Sequence, residues 1–110
     1  MKTSNFIFPQ ATDPSRDAEY ISNALDEAKM SEELGFDAIW LAEHHFDGNC
    51  CYVDPITFAA AILASTKYIN VGLAVAQLSL HHPVALAEQM SLLDNIGKGR
   101  FIIGVGKGTN

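Results

Sequence analysis

The stretch Trp40-Leu41-Ala42-Glu43-His44-His45-Phe46 decides how the rest of the chain is interpreted. It follows Ala38 and Ile39, and this apolar run has the length and composition of a buried strand that stops at an acid and two adjacent histidines. In α/β proteins, residues just beyond the carboxyl ends of the strands form the binding and catalytic sites. The stretch therefore predicts a buried strand that ends in a functional loop.

The chain on both sides of this stretch alternates between strand-like and helix-like patterns. Asp54-Pro55 is a helix start signal, while Gly35 and Gly97 are typical helix ends. The order is strand then helix three times, followed by a fourth strand. Apolar segments predict strands at residues 5–9, 37–41, 69–75 and 101–105, and helical periodicity predicts helices at residues 16–34, 55–65 and 83–96.

This order predicts an α/β fold with a parallel sheet. An eight-fold barrel repeats the same unit over about 250 residues, so this chain supplies about the first three and a half βα units of a (β/α)8 TIM barrel. A four-stranded open sheet is the alternative, but its last strand would lack a covering helix. We therefore expect residues 1–110 to be the amino-terminal part of a single TIM-barrel domain in a longer protein.

The composition argues against several classes of protein. With 7 Lys and Arg against 13 Asp and Glu, the formal net charge is −6, which disfavours nucleic acid or an anionic membrane as the main partner. No apolar run approaches the roughly 20 residues that span a bilayer, and residues 1–5 carry no signal-peptide core. The adjacent Cys50 and Cys51 predict two free thiols rather than a disulfide, and hence a cytoplasmic protein.

The Glu43-His44-His45 motif suits acid–base chemistry. A histidine at the mouth of a barrel can transfer protons near neutral pH, and a neighbouring carboxylate tunes it. The alternative is that both histidines bind loop backbone. A metal site would need ligands from His81-His82 as well, but adjacent residues of an extended segment point to opposite sides, so each pair offers one ligand at most. We expect no metal, and we expect His81-His82 to form the entry to a helix.

Small residues follow the third and fourth strands. Gly72-Leu73-Ala74-Val75-Ala76 and Gly104-Val105-Gly106-Lys107-Gly108 match neither a dinucleotide fingerprint nor a Walker motif. Their small side chains would let a planar ligand approach the backbone, and Lys107 adds a cation. A plain tight turn is equally consistent with the second segment.

Five blocks of the sequence together resemble the bacterial luciferase-like flavin monooxygenases. They are residues 33–46 (ELGFDAIWLAEHHF), residues 66–72 (TKYINVG), His82-Pro83-Val84 with Glu88-Gln89, the turn around residues 93–101, and Gly104-Val105-Gly106. The blocks keep the family's order and cover almost the whole chain. The resemblance implies a TIM barrel, reduced FMN supplied by a separate flavin reductase, and dioxygen, one atom of which enters a small organic substrate such as an aldehyde.

The resemblance also assigns roles to residues. His44 matches a catalytic base, with His45 and Glu43 in support. Ala74 and Val75 match backbone positions that face the flavin ring. Gly106 and Lys107 also match cofactor-binding positions, but both depart from the light-emitting members. This chain has Gly106 where those members have a reactive cysteine, and Lys107 where they have an arginine near the cofactor phosphate. These departures favour an oxygenase of undetermined substrate over light emission.

Three further expectations accompany this interpretation. A deazaflavin-dependent oxidoreductase of the same superfamily is the alternative activity. A homodimer or heterodimer is expected from the family. The 110-residue chain taken by itself is expected to be a non-catalytic fragment, because half of a barrel exposes strand edges and an apolar interior.

Overall fold

A computed structural model describes residues 1–108 of the chain. The strands and helices alternate as the sequence predicts, and two short 3-10 turns precede the first and third helices. The elements are β1 (Ser4–Phe6), α1 (Asp17–Glu33), β2 (Ala38–Leu41), α2 (Pro55–Ser65), β3 (Asn70–Gln77), α3 (Pro83–Gly97) and β4 (Phe101–Gly106).

The four strands form one parallel sheet in the order β1-β2-β3-β4. Each strand thus pairs with the next one in the chain, and each crossover carries a helix, as in a (β/α) barrel. All four carboxyl ends lie at the same edge of the sheet, so the loops that follow them are neighbours. The predicted fold class, a partial TIM barrel of three and a half units, is confirmed.

The two faces of the sheet differ sharply. Ile39 and Val71 share one register row and are fully buried under the helices. The next row runs Phe6, Trp40, Gly72 and Ile102 across the four strands, and the Phe6 and Ile102 side chains at its two ends are 54% and 39% exposed. Since successive residues of a strand point to opposite faces, this second row belongs to the face without helices. That face is the one that lines the interior of a (β/α) barrel.

Local signals explain the helix ends. The Asp54 side chain accepts hydrogen bonds from the backbone N–H groups of Ile56 and Thr57, which caps α2. Gly35 follows α1 with a φ of 81°, and Lys98 follows α3 with a φ of 51°. The left-handed end of α3 therefore falls one residue after the glycine that the sequence suggested, with Gly97 as the last helical residue.

Hydrogen bonds made by two side chains, Arg100 and Glu32, hold together the turns at the amino-terminal end of the sheet. The Arg100 guanidinium donates to the backbone oxygens of Leu63, Thr66, Ile69 and Gly97 at 2.8–3.1 Å, and to Oγ1 of Thr66. At the same turn, the carboxylate of Glu32 accepts the backbone N–H groups of residues 67–69. These contacts lie at the end of the sheet opposite to the βα loops, where a barrel keeps residues that serve stability.

Candidate active site

Two of the three residues of the Glu43-His44-His45 motif, Glu43 and His45, meet His81 where the loops after β2 and β3 come together. Glu43 lies two residues beyond β2, its side chain is 1% exposed, and it is the centre of the cluster. Its Oε2 accepts the backbone N–H of Gln77 at 2.6 Å, and the Gln77 side-chain amide donates to the Glu43 backbone oxygen at 2.7 Å. Glu43 is therefore fixed to the carboxyl end of β3.

Two histidines from different loops meet on this carboxylate. Nε2 of His45 lies 2.6 Å from Oε1 of Glu43, and Nε2 of His81 lies 2.9 Å from the same oxygen. The His45 side chain is 35% exposed and that of His81 is 19% exposed, so the cluster opens to solvent through the imidazoles. His81-His82 precedes α3 as predicted, and the structure adds a contact of His81 with Glu43 that the sequence analysis did not expect.

The cluster changes the acid–base properties of Glu43. Burial alone would raise the pKa of its carboxyl group, because burial disfavours the charged form. The hydrogen bonds from the Gln77 backbone, His45 and His81 outweigh that effect and lower the pKa below its ordinary value. Glu43 is thus an ionised acceptor at neutral pH.

His44 points away from this cluster. Its ring packs against Phe8, which follows β1, with ring centroids 4.9 Å apart. His44 is exposed, whereas its neighbour His45 contacts Glu43. The two adjacent histidines therefore face different surroundings, as their sequence predicted, and Glu43 contacts His45 rather than His44.

Tyr52 holds the start of the loop after β2 in place. Its hydroxyl donates to the backbone oxygen of Ile7 and accepts the backbone N–H of Ala42, both at 3.0 Å. Its ring stacks on Phe58 of α2 at 4.9 Å, and burial raises the pKa of Tyr52 to about 12. The hydroxyl therefore bridges the chain after β1 to the residue just before Glu43. Sequence reasoning missed Tyr52, because nothing in its local sequence marks such a bridge.

The predicted cofactor positions lie at the same edge. Ala74 and Val75 are exposed, they are joined by a cis peptide bond, and the register between β3 and β4 shifts there. A Cβ added to Gly106 would lie 2.8 Å from Cγ2 of Val75, so a cysteine or any other side chain there would not fit without a shift of Val75. Lys107 is exposed, and its backbone oxygen accepts a hydrogen bond from Ser79.

The structure assigns other roles to two glycines that seemed to leave room for a ligand. A Cβ at Gly72 would collide with the indole of Trp40, and one at Gly104 would collide with the backbone oxygen of Leu73. Protein atoms fill both spaces. Neither glycine therefore leaves room for a ligand, whereas Ala74 and Val75 are exposed.

Three negative findings apply to residues 1–108. No group of three or more His, Cys, Asp or Glu side chains is arranged to hold a metal ion, and both imidazoles of the cluster direct Nε2 at the carboxylate. Cys50 and Cys51 are free thiols, as predicted, and burial raises the pKa of Cys51. No helix in this range combines the length and apolar character needed to cross a bilayer.

The family model for "Luciferase-like monooxygenase" matches residues 1–110. The chain belongs to this family. The alkanal monooxygenase alpha chain of Photorhabdus laumondii is 38% identical over 108 residues, which cover 98% of this luciferase-like chain and 30% of that protein. The chain thus spans about a third of the length of the relatives it matches, as the resemblance implied.

Solved structures agree with this assignment. The luciferase-like chain superposes on monooxygenase RslO1 from Streptomyces bottropensis with a TM-score of 0.90 and 30% identity, covering 99% of this chain and 34% of the other. The oxygenating constituent of 3,6-diketocamphane monooxygenase from Pseudomonas putida, in complex with FMN, shares the fold at a TM-score of 0.88 and 23% identity, over 100% and 30% of the chains. The coenzyme F420-dependent tetrahydromethanopterin reductase of Methanopyrus kandleri gives a TM-score of 0.69 and 26% identity, over 98% and 27%.

Proposed function

We propose that this luciferase-like chain forms part of a monooxygenase that uses reduced FMN and dioxygen to oxidise a small organic substrate. The observation that carries the proposal is the convergence of Glu43, His45 and His81 beside the exposed Ala74-Val75 backbone, at the carboxyl edge of a parallel sheet. This is the edge at which barrel enzymes bind their ligands. Membership of the family supplies the class of reaction.

The residues present suit a flavin. Exposed Ala74 and Val75 offer a small, apolar surface for one face of a planar ring, and Lys107 at the end of β4 offers a cation for a phosphate. Among the residues that the structure describes, no carboxylate pairs with Lys107. Gly106 keeps this surface open, because any larger side chain there would press on Val75.

Reduced FMN, when bound, supplies the electrons that activate dioxygen. In the proposal, a separate flavin reductase delivers it, and His44 holds and releases a proton at its exposed imidazole. Packing against Phe8 limits the ring's freedom to turn, so its nitrogens keep a defined direction. Glu43 remains ionised and orients His45 beside it.

The apolar inner face of the sheet suits a substrate that must be kept from water. Phe6, Trp40 and Ile102 line one register row of that face and offer no charged group. Excluding water protects a reactive oxygen species from side reactions. A small apolar molecule with one oxidisable group, such as an aldehyde, matches this surface.

A second candidate function is hydride transfer with a deazaflavin. The likeness to a coenzyme F420-dependent reductase supports it, although the TM-score of 0.69 is lower than the 0.90 obtained for a monooxygenase. In that case the same histidines would assist hydride chemistry, and no dioxygen would be consumed.

A dimer is also part of the proposal. The outer surface of α3 exposes Val84 and Leu92, with Ala87 and Ser91 between them, around a shallow apolar depression of about 710 Å³. Ala87 lies on this exposed side of α3. We expect a second family chain to cover it, since relatives include both alpha and beta chains of alkanal monooxygenase.

We propose further that residues 1–110 are inactive by themselves. Ile103 and Val105 of β4 are 42% and 51% exposed, and the apolar inner face is open. An expressed 110-residue chain is expected to self-associate in sedimentation experiments, and a stable monomer with oxygenase activity would contradict this part of the proposal.

The test of function uses the full-length protein. Oxygen uptake is measured with reduced FMN and a series of aldehydes of increasing chain length, and F420 oxidation or reduction is followed in parallel. Substrate-dependent oxygen uptake with FMN supports the monooxygenase. Turnover with F420 in the absence of oxygen uptake would instead establish the second candidate.

A further inference from the structure

His81 belongs to the cluster on Glu43, but the proposed function assigns it no role of its own. It lies between β3 and α3, and its Nε2 approaches both carboxylate oxygens of Glu43, at 2.9 and 3.1 Å. Only 19% of its side chain is exposed, so the imidazole is held within the protein. Its neighbour His82 is exposed and makes no side-chain hydrogen bond at the start of α3.

The hydrogen bonds determine which ring nitrogen carries hydrogen in both histidines. An ionised carboxylate only accepts hydrogen bonds, so each Nε2 that contacts Glu43 must donate one. The lowered pKa of Glu43 keeps that group ionised. In the neutral rings, Nδ1 of His45 and Nδ1 of His81 are consequently the free acceptors.

The carboxylate is fixed from three directions. His45 and His81 share Oε1, while the Gln77 backbone N–H holds Oε2 at 2.6 Å. Removal of His81 would leave Oε1 with a single partner and open a path for water beside it. The orientation of His45 depends on this oxygen, because Oε1 is the hydrogen-bond partner of its Nε2.

We propose that His81 is a positioning residue of the candidate site. It acts through the carboxylate of Glu43, which it shares with His45, and so keeps Nε2 of His45 on that carboxylate and leaves its Nδ1 free. The expected effect on turnover rests on the proposed function, in which His45 stands beside His44, whereas the positioning itself does not.

The first test is spectroscopic and needs neither flavin nor substrate. Proton NMR of the ¹⁵N-histidine-labelled full-length protein is expected to show exchange-protected Nε2–H signals for His45 and His81. The His81→Ala variant should lose the His81 signal and broaden that of His45 by exchange with water, and Glu43→Ala, which removes the shared acceptor, should remove both. The matched control, His82→Ala, should leave both signals unchanged. A sharp, unshifted His45 signal in His81→Ala would overturn the proposal, whatever the enzyme does with flavin.

The second test separates positioning from direct proton transfer. Glutamine can donate an N–H to the carboxylate but cannot titrate, so His81→Gln should restore the His45 signal. With an active substrate, His81→Ala is expected to lower kcat between about 10- and 100-fold with little change in KM or in FMN affinity. His81→Gln should recover most of that loss. A His81→Gln enzyme as impaired as His81→Ala, with native unfolding behaviour, would contradict positioning and assign the proton transfer to His81 itself.

Discussion

Nε2 of His81 lies 2.9 Å from Oε1 of Glu43, although 38 residues separate them in the sequence. One residue follows β2 and the other precedes α3, so this contact joins two loops of the barrel mouth. With His45 on the same oxygen, it turns an acid–histidine motif into a three-residue cluster around a buried carboxylate. Four predictions about individual residues follow from the structure, and a fifth addresses the reaction.

The first prediction concerns the stability provided by Glu43. Glu43→Gln replaces one carboxylate oxygen by an NH₂ group, which confronts the N–H donors of Gln77, His45 or His81. We expect the free energy of unfolding to fall by about 2–3 kcal/mol at pH 7, as for a lost hydrogen-bonded buried charge. Urea denaturation measures this loss. A change below about 0.5 kcal/mol would show that the cluster does not stabilise the fold.

The second prediction concerns the pH dependence of stability. Hydrogen bonds outweigh burial and lower the pKa of Glu43 and Glu32 below the ordinary value of 4.5. Their ionised forms therefore stabilise the folded protein above about pH 4.5, and this contribution is lost as the pH falls through the folded-state pKa values. Urea midpoints measured from pH 7 to pH 3 should fall less steeply in Glu43→Gln and Glu32→Gln. If the urea midpoint fell equally steeply with pH in the wild type and both variants, the lowered pKa values of Glu43 and Glu32 would be contradicted.

The third prediction concerns Lys107. Lys107→Ala should weaken FMN binding about tenfold, because one cation–phosphate contact is lost, and should leave riboflavin binding unchanged, because riboflavin has no phosphate. Lys107→Arg should bind FMN at least as tightly, since arginine offers two parallel donors. Fluorescence titration with the two flavins checks both variants, with exposed Lys98→Ala as the matched control. If Lys107→Ala weakened the binding of FMN and riboflavin equally, Lys107 would not bind the phosphate.

The fourth prediction concerns Arg100 at the opposite end of the sheet. Arg100→Ala leaves the backbone oxygens of Leu63, Thr66 and Ile69 without their donors, and should cost about 3 kcal/mol of stability. Because these contacts lie far from the βα loops, FMN affinity of the folded variant should stay within about twofold of the wild type. Thermal unfolding and flavin titration of the same samples measure both effects. A selective loss of flavin binding with unchanged stability would reverse this assignment.

Much of the fold could be predicted from local sequence. The predicted α2 begins and ends where the structure has it, because Asp54 and Pro55 mark its start unambiguously. The predicted strand at residues 5–9 is displaced, since β1 covers Ser4–Phe6 and the chain beyond it turns towards Tyr52. Although α2 is apolar nearly all round, it is not enclosed on every side. Ala61 and Ala64 remain exposed because small apolar side chains can face solvent at little cost.

The site was only partly predictable, because its central contacts are long-range. Glu43 and His45 stand in one motif, and their proximity follows from the sequence. The partnership of Glu43 with His81 depends on the adjacency of β2 and β3. The rule that carboxyl ends of neighbouring parallel strands share one edge would have brought His81 to Glu43, if applied to the residues after β3. The role of Gly72 could not be predicted, because it depends on where the Trp40 ring lies, and no local sequence pattern gives that position.

The most direct test of the account is a single-turnover reaction of the full-length protein loaded with reduced FMN and exposed to ¹⁸O₂ in the presence of an aldehyde substrate. We predict one ¹⁸O atom per molecule of product in the wild-type protein. His44→Ala should bind FMN normally and form no labelled product, while His82→Ala should behave as the wild type. An FMN-loaded wild-type protein that yields no labelled product with any aldehyde, or a His44→Ala variant with full incorporation, would contradict the account.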